Sequence, residues 1–415
     1  MKRLRVLISA YACEPNTGSE PGVGWNLSTQ MAKYHNVVVL TRKNNRPAIE
    51  KALHHNPVPG LEVAYFDFPD WAKFWKRGAR GVQLYYYLWQ IGIYFVAKRL
   101  HRQRPFDLTH HITFVKYWTP SLLSLLPTPF IWGPIGGGDS TPKAFIREMS
   151  FQGQSYETLR NMACTLGEFD PLVKLTAKNS VLTFASTPKT AERLELMGSK
   201  NIRLLTQCGL SHSDFVALDS SISPSSRSFR FISIGNLLSL KGFNLGLKGF
   251  AQANLSNTEY FIVGSGPEKE SLLSLVKSLK IEDRVHFVGK LSRQETLETL
   301  QSCHALVHPS FHDSGGLVCL EAMAGGKPVI CLDLAGPAIT VSKETGIKIP
   351  SVSPTQIIDD LAEAMTALAK NESLCEEMGM AGRTRAKEYF SWEAKGKVLN
   401  EHYHNIVIAT SSATR

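Results

Sequence analysis

The sequence predicts two doubly wound α/β domains, each with a parallel sheet covered by helices on both faces. Three observations lead to this prediction. At 415 residues the chain is longer than one hydrophobic core usually supports. Short apolar, β-branched runs alternate with stretches of helical periodicity, the pattern of strands buried on both faces. A Ser-rich stretch at 217–230 with few apolar residues reads as a linker between two such series.

Eleven short runs are predicted to be strands. They are RVLISAY, NVVVLTR, LEVAYFDF, FDLTHHI, PFIWGPI and SVLTFAS in the first half, and FRFISIGN, EYFIVGSG, RVHFVGK, ALVHPS and KPVICLD in the second. Segments between them, such as GWNLSTQMAKYH and PEKESLLSLVKSL, have the 3.6-residue period of helices. We therefore expect a first domain at 1–216, a second at 228–390 and a further helix at about 391–410.

Composition indicates a folded protein of a reducing compartment. Hydrophobic residues make up 43% of the chain and charged residues 20%. Seven scattered cysteines, without a CxxC pair or zinc-type His spacing, predict free thiols and no metal site. The basic start and short apolar run at 1–20 lack a cleavage site, so we interpret them as a first strand. The expected location is cytoplasmic, including the inner face of the membrane.

The net charge of +10 favours anionic partners. Dispersed basic residues and the lack of a nucleic-acid-binding motif argue against nucleic acid. Trp, Phe and Tyr mix with Lys and Arg at 69–104. We interpret Leu84–Val96 as a core helix with basic flanks, because it is too short and too interrupted to span a bilayer. For Trp71–Arg80, peripheral contact with an anionic membrane and a role as the basic flank of that core helix remain alternatives.

The segment HPSFHDSGGLVCLEAMAGGKPVI, from His308 to Ile330, ends a predicted strand with small and charged residues and then begins a helix. In open α/β sheets, ligands bind beyond the carboxyl ends of the strands, so this junction is a candidate site. Gly315 and Gly316 allow backbone N–H groups to approach a phosphate at the helix N-terminus. Asp313 and Glu321 are eight residues apart, which places one in the loop and the other in the helix. The alternative is a helix N-cap and a surface glutamate.

Other strand ends of the second half repeat this plan. SIGNLLSLKGFNLGLKGF places Lys241 where a helix starts, so that its charge can neutralise a diphosphate or simply be solvated. FIVGSGPEKESL contains Gly264 between strand and helix, and RVHFVGKLSRQE contains Val288 near the end of another strand. Each of these two is a generic α/β turn when taken alone.

Together, GNLLSLKG, VGSGPE, VHFVGK and HPSFHDSGGLVCLEAMAGGKPVI resemble the nucleotide-sugar-dependent retaining glycosyltransferases of family four, also called group one. The last segment is the most specific, because it is similar to that family's pair of acidic residues followed by EAMAxGxPVI. The resemblance implies the GT-B fold, in which two Rossmann-like domains face a central cleft. It also implies that the helix at about 391–410 packs back on the first domain.

The resemblance assigns roles to residues of the second domain. Glu321 is expected to bind the ribose hydroxyls and Asp313 the donor sugar. The backbone of Gly315, Gly316 and Leu317 is expected to hold the diphosphate, with Lys241 supplying charge. Gly264 and Val288 are expected to line the donor site.

Two departures from the family pattern stand out in this domain. Asp313 is one methylene shorter than the usual glutamate, and Asn236 occupies the position of the usual diphosphate-binding arginine. We retain Asn236 as a donor-binding position, with Lys241 taking over the charge.

In the first domain, YACEPNTGSEPGVGWNL resembles the family's glycine loop, with Gly18, Ser19 and Glu20 expected near the donor phosphates. A tight turn with Ser19 as N-cap is compatible with that role. FDLTHHITF ends a strand in two histidines, and such a strand-end histidine contacts the donor in the family. Strand alternation places His110 and His111 on opposite faces, so we expect one to reach the cleft and the other to be structural.

The implied function is retaining, metal-independent transfer of a sugar from a UDP- or GDP-linked donor to a saccharide or lipid-linked acceptor, with no cofactor. Asp313, Lys241 and the two histidines would be the catalytic group. An epimerase of the same fold would need further acid/base carboxylates, and we identify no such set. A nucleotide-binding protein that has weak or no transferase activity remains an alternative, because of the two departures at positions 236 and 313.

Overall fold

The computed structural model describes residues 2–76, 81–114, 116–146, 149, 151–218 and 228–413. They form two compact units. The first comprises Met1–Gly138, Met162–Cys208 and Trp392–Arg415, and the second comprises Asp139–Asn161 and Gly209–Ser391. Most of the predicted linker lies outside the described residues.

These units differ from the expected domain boundaries in two segments. Asp139–Asn161 and Gly209–Leu218 belong to the second unit, although both precede the predicted linker. In the first of these segments, the ring of Phe145 packs against Phe311, with the ring centroids 4.7 Å apart. The cause is tertiary: an aromatic contact with a residue far along the sequence has no local sequence signature.

The first unit is built on a seven-stranded parallel sheet with the order β3-β2-β1-β4-β5-β6-β7. Its strands are β1 (Arg5–Ser9), β2 (Asn36–Thr41), β3 (Leu61–Tyr65), β4 (Leu108–His111), β5 (Phe130–Ile135), β6 (Ser180–Ala185) and β7 (Ile202–Leu204). Its helices are α1 (Ser19–Tyr34), α2 (Arg46–His55), α3 (Val82–Gln103), α6 (Pro171–Asn179), α7 (Pro188–Leu196) and α16 (Trp392–Ala413). Short 3-10 helices lie at Lys43–Asn45, Asp70–Lys73 and Leu122–Leu125.

The second unit is built on a six-stranded parallel sheet with the order β10-β9-β8-β11-β12-β13. Its strands are β8 (Phe229–Ile234), β9 (Thr258–Val263), β10 (Val285–Gly289), β11 (Ala305–His308), β12 (Val329–Leu332) and β13 (Gly346–Ile349). Its helices are α4 (Lys143–Ile146), α8 (His212–Leu218), α9 (Phe243–Ala253), α10 (Lys269–Ser278), α11 (Arg293–Gln301), α12 (Leu317–Ala324), α13 (Ala335–Thr340), α14 (Pro354–Lys370) and α15 (Glu372–Phe390). A 3-10 helix lies at Ser239–Lys241, and α5 (Phe151–Phe169) contributes residues to both units.

Both faces of the first sheet are buried, as the continuous apolar strands predict. Along β1, Leu7 enters one hydrophobic core, whereas Val6 and Ile8 enter the core on the opposite face. Successive side chains of a strand point to opposite faces, so a strand covered on both sides must be apolar throughout. For the same reason, the residues of β1 that face the two cores form one uninterrupted apolar run in the sequence.

Helix α16 completes the core of the first unit. Tyr403 is fully buried, and its hydroxyl lies 2.5 Å from Nδ1 of His110. The Lys395 ammonium donates to the carbonyl oxygen and the hydroxyl of Thr206, at 2.6 and 2.8 Å. Burial lowers the pKa of Lys395 to about 7. These buried hydrogen bonds attach α16 to the loop that follows β7.

In the second sheet the strand order reverses at the junction of β8 and β11. Strands that follow β8 in sequence extend to one side and those after β11 extend to the other. The carboxyl ends of the strands at such a reversal are the usual ligand position in open α/β sheets. The candidate residues of the second unit are therefore expected to lie at this point of the sheet.

Within the described ranges, no helix has both the length and the apolar composition that are needed to cross a membrane.

Candidate functional site

Two loops meet at the junction of β8 and β11. The loop after β8 ends in the 3-10 turn that carries Lys241, and the loop after β11 carries Asp313. They are joined by a backbone hydrogen bond of 2.9 Å from the Phe311 N–H to the Leu240 carbonyl. Two residues 72 positions apart in sequence are thereby held side by side.

Glycine is required where these loops touch. Gly242 follows the lysine with φ of 66°, a left-handed conformation. A Cβ at this position would lie 2.1 Å from the Pro309 carbonyl oxygen, which is backbone and cannot move aside. The Lys-Gly pair of the sequence therefore has a definite geometric origin: the glycine permits the contact, and the contact places the lysine.

The carboxylate of Asp313 has four close partners in the site. Its Oδ2 lies 2.7 Å from the Lys241 ammonium nitrogen and 3.2 Å from Nε2 of His308. Its Oδ1 accepts hydrogen bonds from the N–H groups of Gly315 and Gly316, at 3.2 and 2.8 Å. The carboxylate thus occupies an anion-binding arrangement of one cation and two N–H donors at the start of α12.

These neighbours keep Asp313 ionised. Burial alone would raise the pKa of Asp313, but the His308 imidazole and the Lys241 charge outweigh burial and hold that pKa well below its ordinary value. Burial lowers the pKa of His308, and the adjacent carboxylate offsets part of this effect. At neutral pH the cluster therefore contains an ionised aspartate beside a neutral histidine.

Glu321 lies in the first turns of α12, one element beyond Asp313 as expected, and is buried. Its Oε1 accepts a hydrogen bond of 2.7 Å from Nη1 of Arg293. Nη2 of the same arginine donates to Oδ1 of Asp214, also at 2.7 Å. Asp214 is fixed in turn by the N–H and hydroxyl of Ser211, at 2.8 and 2.6 Å.

The arginine bridge opposes the cost of burying Glu321. Burial raises the pKa of Glu321, and the charge and hydrogen bond of Arg293 offset part of that rise. The pKa of Arg293 is itself raised, because its two carboxylate partners outweigh its own desolvation. Sequence reasoning missed Arg293 and Asp214, since nothing in the local pattern links positions separated by 28 and 79 residues. It also gave no role to His308, although this residue begins the same segment as Asp313.

The remaining predicted residues of the second unit lie near the carboxyl ends of its strands or in the segments that follow them. Asn236 is exposed in the loop after β8, and Leu317 begins α12. Gly264 follows β9 with φ of 145°, where a Cβ would lie 1.9 Å from the Gly235 carbonyl oxygen. That close approach joins two strand-end loops. Val288 lies in β10 and is 38% exposed.

Both strand-end histidines of the first unit are fully buried. Nδ1 and Nε2 of His110 lie 2.5 Å from the Tyr403 hydroxyl and 2.7 Å from the Gly133 carbonyl oxygen. Nε2 of His111 lies 2.9 Å from the Tyr86 hydroxyl, and its Nδ1 lies 3.2 Å from the Ser121 hydroxyl.

Burial lowers the pKa of each of these imidazoles to about 3. The two rings take opposite faces as expected. However, the expectation that one of them is accessible is not met, because His110 and His111 both have every ring nitrogen engaged inside the core.

The glycine loop of the first unit leads into α1. Gly18 is the N-cap residue and Ser19 the first helical residue, with φ of 60° at Ser19. Ser19 is therefore not the N-cap residue, and no side-chain hydrogen bond caps this end of α1. Glu20 accepts a hydrogen bond from the Phe114 N–H through Oε1, which ties this loop to the end of β4.

Among the residues that the structure describes, no group of three or more His, Cys, Asp and Glu side chains is close enough together to hold a metal ion.

Most of the second unit matches a known family of proteins. Residues 219–385 match the model of the family described as glycosyl transferases group 1. The predicted resemblance to this family is confirmed. The matched segment contains Lys241, Arg293, Asp313 and Glu321, whereas Asp214 precedes it.

Curated relatives match about a third of the chain. D-inositol 3-phosphate glycosyltransferase of Corynebacterium diphtheriae is 30% identical over 141 residues, which is 34% of this chain and 32% of that protein. A GDP-mannose-dependent monoacylated phosphatidylinositol monomannoside mannosyltransferase of Corynebacterium glutamicum is 31% identical over 150 residues, 34% of this chain and 38% of that protein. The match therefore spans about a third of the length of these relatives.

Solved structures extend the likeness of fold to the whole chain. Sucrose-phosphate synthase of Thermosynechococcus elongatus aligns with a TM-score of 0.66 at 19% identity, covering 98% of this chain and all of that one. HepE of Anabaena, in complex with UDP and glucose, aligns with a TM-score of 0.59 at 15% identity, covering 97% and 100%. The prediction of a two-domain GT-B fold with Rossmann-like domains is confirmed.

We expect Asp313→Asn to lower the free energy of unfolding by about 1–3 kcal/mol at pH 7, because the substitution removes the charge that pairs with Lys241. The pKa of Asp313 is depressed in the folded protein. Its stabilisation is therefore present above the ordinary carboxyl pKa of about 4 and is lost as pH falls through the lower folded-state value. Urea unfolding of both proteins between pH 7 and pH 3 measures this difference.

The exposed pair of Asp333 and Lys348, 3.0 Å apart, provides the control. Asp333→Asn should cost less than about 1 kcal/mol. A difference between wild type and Asp313→Asn that stays constant down to pH 3 would contradict the described cluster.

We expect Arg293→Met to lower the free energy of unfolding by about 1–3 kcal/mol at neutral pH, less than a fully buried pair would cost, because Arg293 is partly exposed. Without the arginine, Glu321 is left buried and unpaired and its pKa rises further. The loss should shrink as pH falls and Glu321 becomes protonated.

Adding Glu321→Gln to Arg293→Met should recover much of this loss, and a double-mutant cycle measures the coupling. Arg46→Met, which breaks an exposed pair with Glu50, is the matched control. Additive effects of the two site substitutions would refute the buried pairing.

Proposed function

We propose that this protein is a retaining glycosyltransferase. It moves a sugar from a nucleoside-diphosphate sugar to a hydroxyl of a saccharide or lipid-linked acceptor, in the synthesis of a polysaccharide, glycolipid or other glycoconjugate. The observation that supports this most directly is the arrangement of a buried, arginine-held glutamate beside a Lys–Asp cluster at the start of α12. It lies within a segment that matches the group 1 family.

Glu321 would hold the ribose of the donor. Arg293 engages Oε1 of this carboxylate. Oε2 would accept hydrogen bonds from a pair of neighbouring ribose hydroxyls. Hydrogen bonds to an ionised acceptor are stronger than neutral ones, and Arg293 favours the ionised form inside a buried site.

Lys241 and the N-terminus of α12 would bind the diphosphate. The N–H groups of Gly315 and Gly316 and the ammonium of Lys241 all contact the Asp313 carboxylate. Because these donors already bind a carboxylate of the chain, they form an arrangement that can bind an anion. A diphosphate would exchange with or share these donors, and Asp313 would then be free to accept hydroxyl groups of the donor sugar.

The chemical step would depend on electrostatics. Breaking the bond between sugar and diphosphate leaves negative charge on the departing phosphate oxygen, and Lys241 with the helix N-terminus would stabilise that charge. Asn236 supplies no charge, so Lys241 carries more of this work than in relatives with an arginine there. Attack by the acceptor on the same face as the leaving group retains the anomeric configuration. We assign no covalent role to Asp313 and propose a metal-independent step.

Glu321→Gln should weaken binding of UDP or GDP about 10- to 100-fold while the protein remains folded, because the ribose loses a charged acceptor. Isothermal titration calorimetry with UDP and with GDP measures the effect. Glu259→Gln, which affects an ion pair with Arg230 in the same unit, serves as the control. Nucleotide affinity equal to that of the wild type would remove Glu321 from the donor site.

Lys241→Ala should reduce kcat for sugar transfer or donor hydrolysis by about 100-fold, with a smaller effect on nucleoside affinity, because the lost charge acts on the diphosphate. Incubation with radiolabelled UDP-glucose, UDP-N-acetylglucosamine and GDP-mannose provides the assay. The matched control is Lys277→Ala, an exposed lysine on α10. An undiminished rate in Lys241→Ala would contradict the proposed role.

The second candidate function is nucleotide binding without turnover. Because position 236 is an asparagine, the expected diphosphate site lacks one cation. The N–H groups of Gly315 and Gly316 already donate hydrogen bonds to the Asp313 carboxylate. Tight UDP or GDP binding without hydrolysis or transfer from any of the three labelled donors would favour this alternative over the transferase.

A further inference from the structure

Helix α3 in the first unit has two dissimilar faces. The inner face is packed against the core through buried aromatic and aliphatic side chains, including Tyr85, Tyr86, Trp89 and Ile93. The Trp89 indole N–H, for instance, donates to the Phe66 carbonyl at 3.0 Å. This face agrees with the interpretation of Leu84–Val96 as a core helix.

The opposite face of α3 is also apolar, and it is exposed. Leu84, Leu88, Ile91 and Phe95 have steps of four, three and four residues, so at 100° per residue they fall within an arc of about 60°. Leu84 and Phe95, at the two ends of this stripe, are 58% and 63% exposed. A core helix needs only one apolar face, so this second stripe is unexplained by packing within the chain.

The stripe continues into positive charge. Lys98 and Arg102 follow Phe95 by three and seven residues, stay on the same face of the helix and are exposed. From residue 71 to residue 106 the sequence contains no Asp or Glu. The same stretch holds eight basic residues: Lys73, Lys76, Arg77, Arg80, Lys98, Arg99, Arg102 and Arg104. This one segment therefore holds much of the net charge of +10.

Two further large apolar side chains precede the helix. Trp71 and Phe74 are 78% and 75% exposed, in and directly after the 3-10 helix at Asp70–Lys73. Trp75 packs on the helix, with its ring centroid 6.2 Å from that of Tyr85. The Lys76 ammonium lies 5.5 Å from the same tyrosine ring. The exposed segment is thereby attached to the N-terminal part of α3.

We propose that this surface, formed by Trp71, Phe74 and the outer stripe of α3 with Lys98 and Arg102, docks on an anionic phospholipid bilayer. A helix with an apolar stripe and flanking lysines and arginines lies in the plane of the interface, with its apolar side chains among the acyl chains and its cations at the headgroups. Each Lys or Arg near such a surface adds about 1 kcal/mol of attraction.

Charge selects the lipid over other occupants. A stripe without acidic neighbours in its own segment repels a second copy of the same basic surface, and it fits a surface that is uniformly negative. The inference is independent of catalysis, since it concerns binding to lipid without donor or acceptor. If the proposed function is also correct, lipid-linked acceptors would be met at this surface.

The test is co-sedimentation of the full chain with vesicles of phosphatidylcholine alone or with 30% phosphatidylglycerol, without nucleotide. We expect binding to the anionic vesicles that weakens with added salt, and much weaker binding to the neutral ones. Lys98→Gln/Arg102→Gln should reduce the partition constant by about 30-fold, as two removed charges predict. Leu84→Gln/Phe95→Gln should reduce it by at least about tenfold.

Matched controls separate this surface from general effects. Lys189→Gln/Lys200→Gln removes two exposed charges elsewhere in the first unit, and Leu196→Gln/Leu204→Gln removes two exposed leucines. Both controls should bind vesicles like the wild type. All the substituted side chains are exposed, so circular dichroism should show wild-type folding throughout.

Several results would overturn the inference. These are absence of binding to the anionic vesicles, equal binding to neutral ones, and equal losses in the helix variants and their controls. A change of oligomeric state in Leu84→Gln/Phe95→Gln, seen by light scattering and without a change in vesicle binding, would instead make the stripe a contact between copies. Failure of sugar transfer would leave the vesicle result unaffected.

Discussion

The second unit depends on the ion pair between Lys241 and Asp313. It joins the loop after β8 to the loop after β11, at the point where the strand order of the sheet reverses. Because Asp313 also accepts the N–H groups of Gly315 and Gly316, the same carboxylate fixes the start of α12. The position of Glu321 on that helix follows from this attachment. One short aspartate thus sets the geometry of both the cationic and the acidic side of the candidate site.

Much of the fold was accessible from the sequence because strands buried on both faces leave an uninterrupted apolar run. The edge strands β7 and β13 were not predicted. They have only three and four residues, and each pairs with a single neighbouring strand, so their sequence pattern is short and weak. The segment at 139–161 was placed with the wrong part of the chain, because its attachment through Phe145 and Phe311 is a long-range contact.

The candidate site was accessible where its chemistry is local. Gly242 beside Lys241, and Asp313 before the two glycines, are each formed within a few residues, so spacing reveals them. Arg293 and Asp214 were missed because they reach Glu321 from separate helices. His110 and His111 show the opposite error: a strand-end histidine looks reactive in sequence, but tyrosine, serine and backbone partners inside the core occupy both rings.

Helix α16 has a consequence for how the chain acquires its structure during synthesis. The first unit is assembled from three stretches, and the last of them, starting at Trp392, supplies Tyr403 and Lys395 to its interior. When only the residues before 392 have been translated, the first unit lacks the side chains that this helix places in its core. The second unit, which is inserted between those stretches, has all its own residues by then. Domains emerging from the ribosome usually mature in order from the N-terminus. In this chain the first unit can complete its core only after the second unit has been translated.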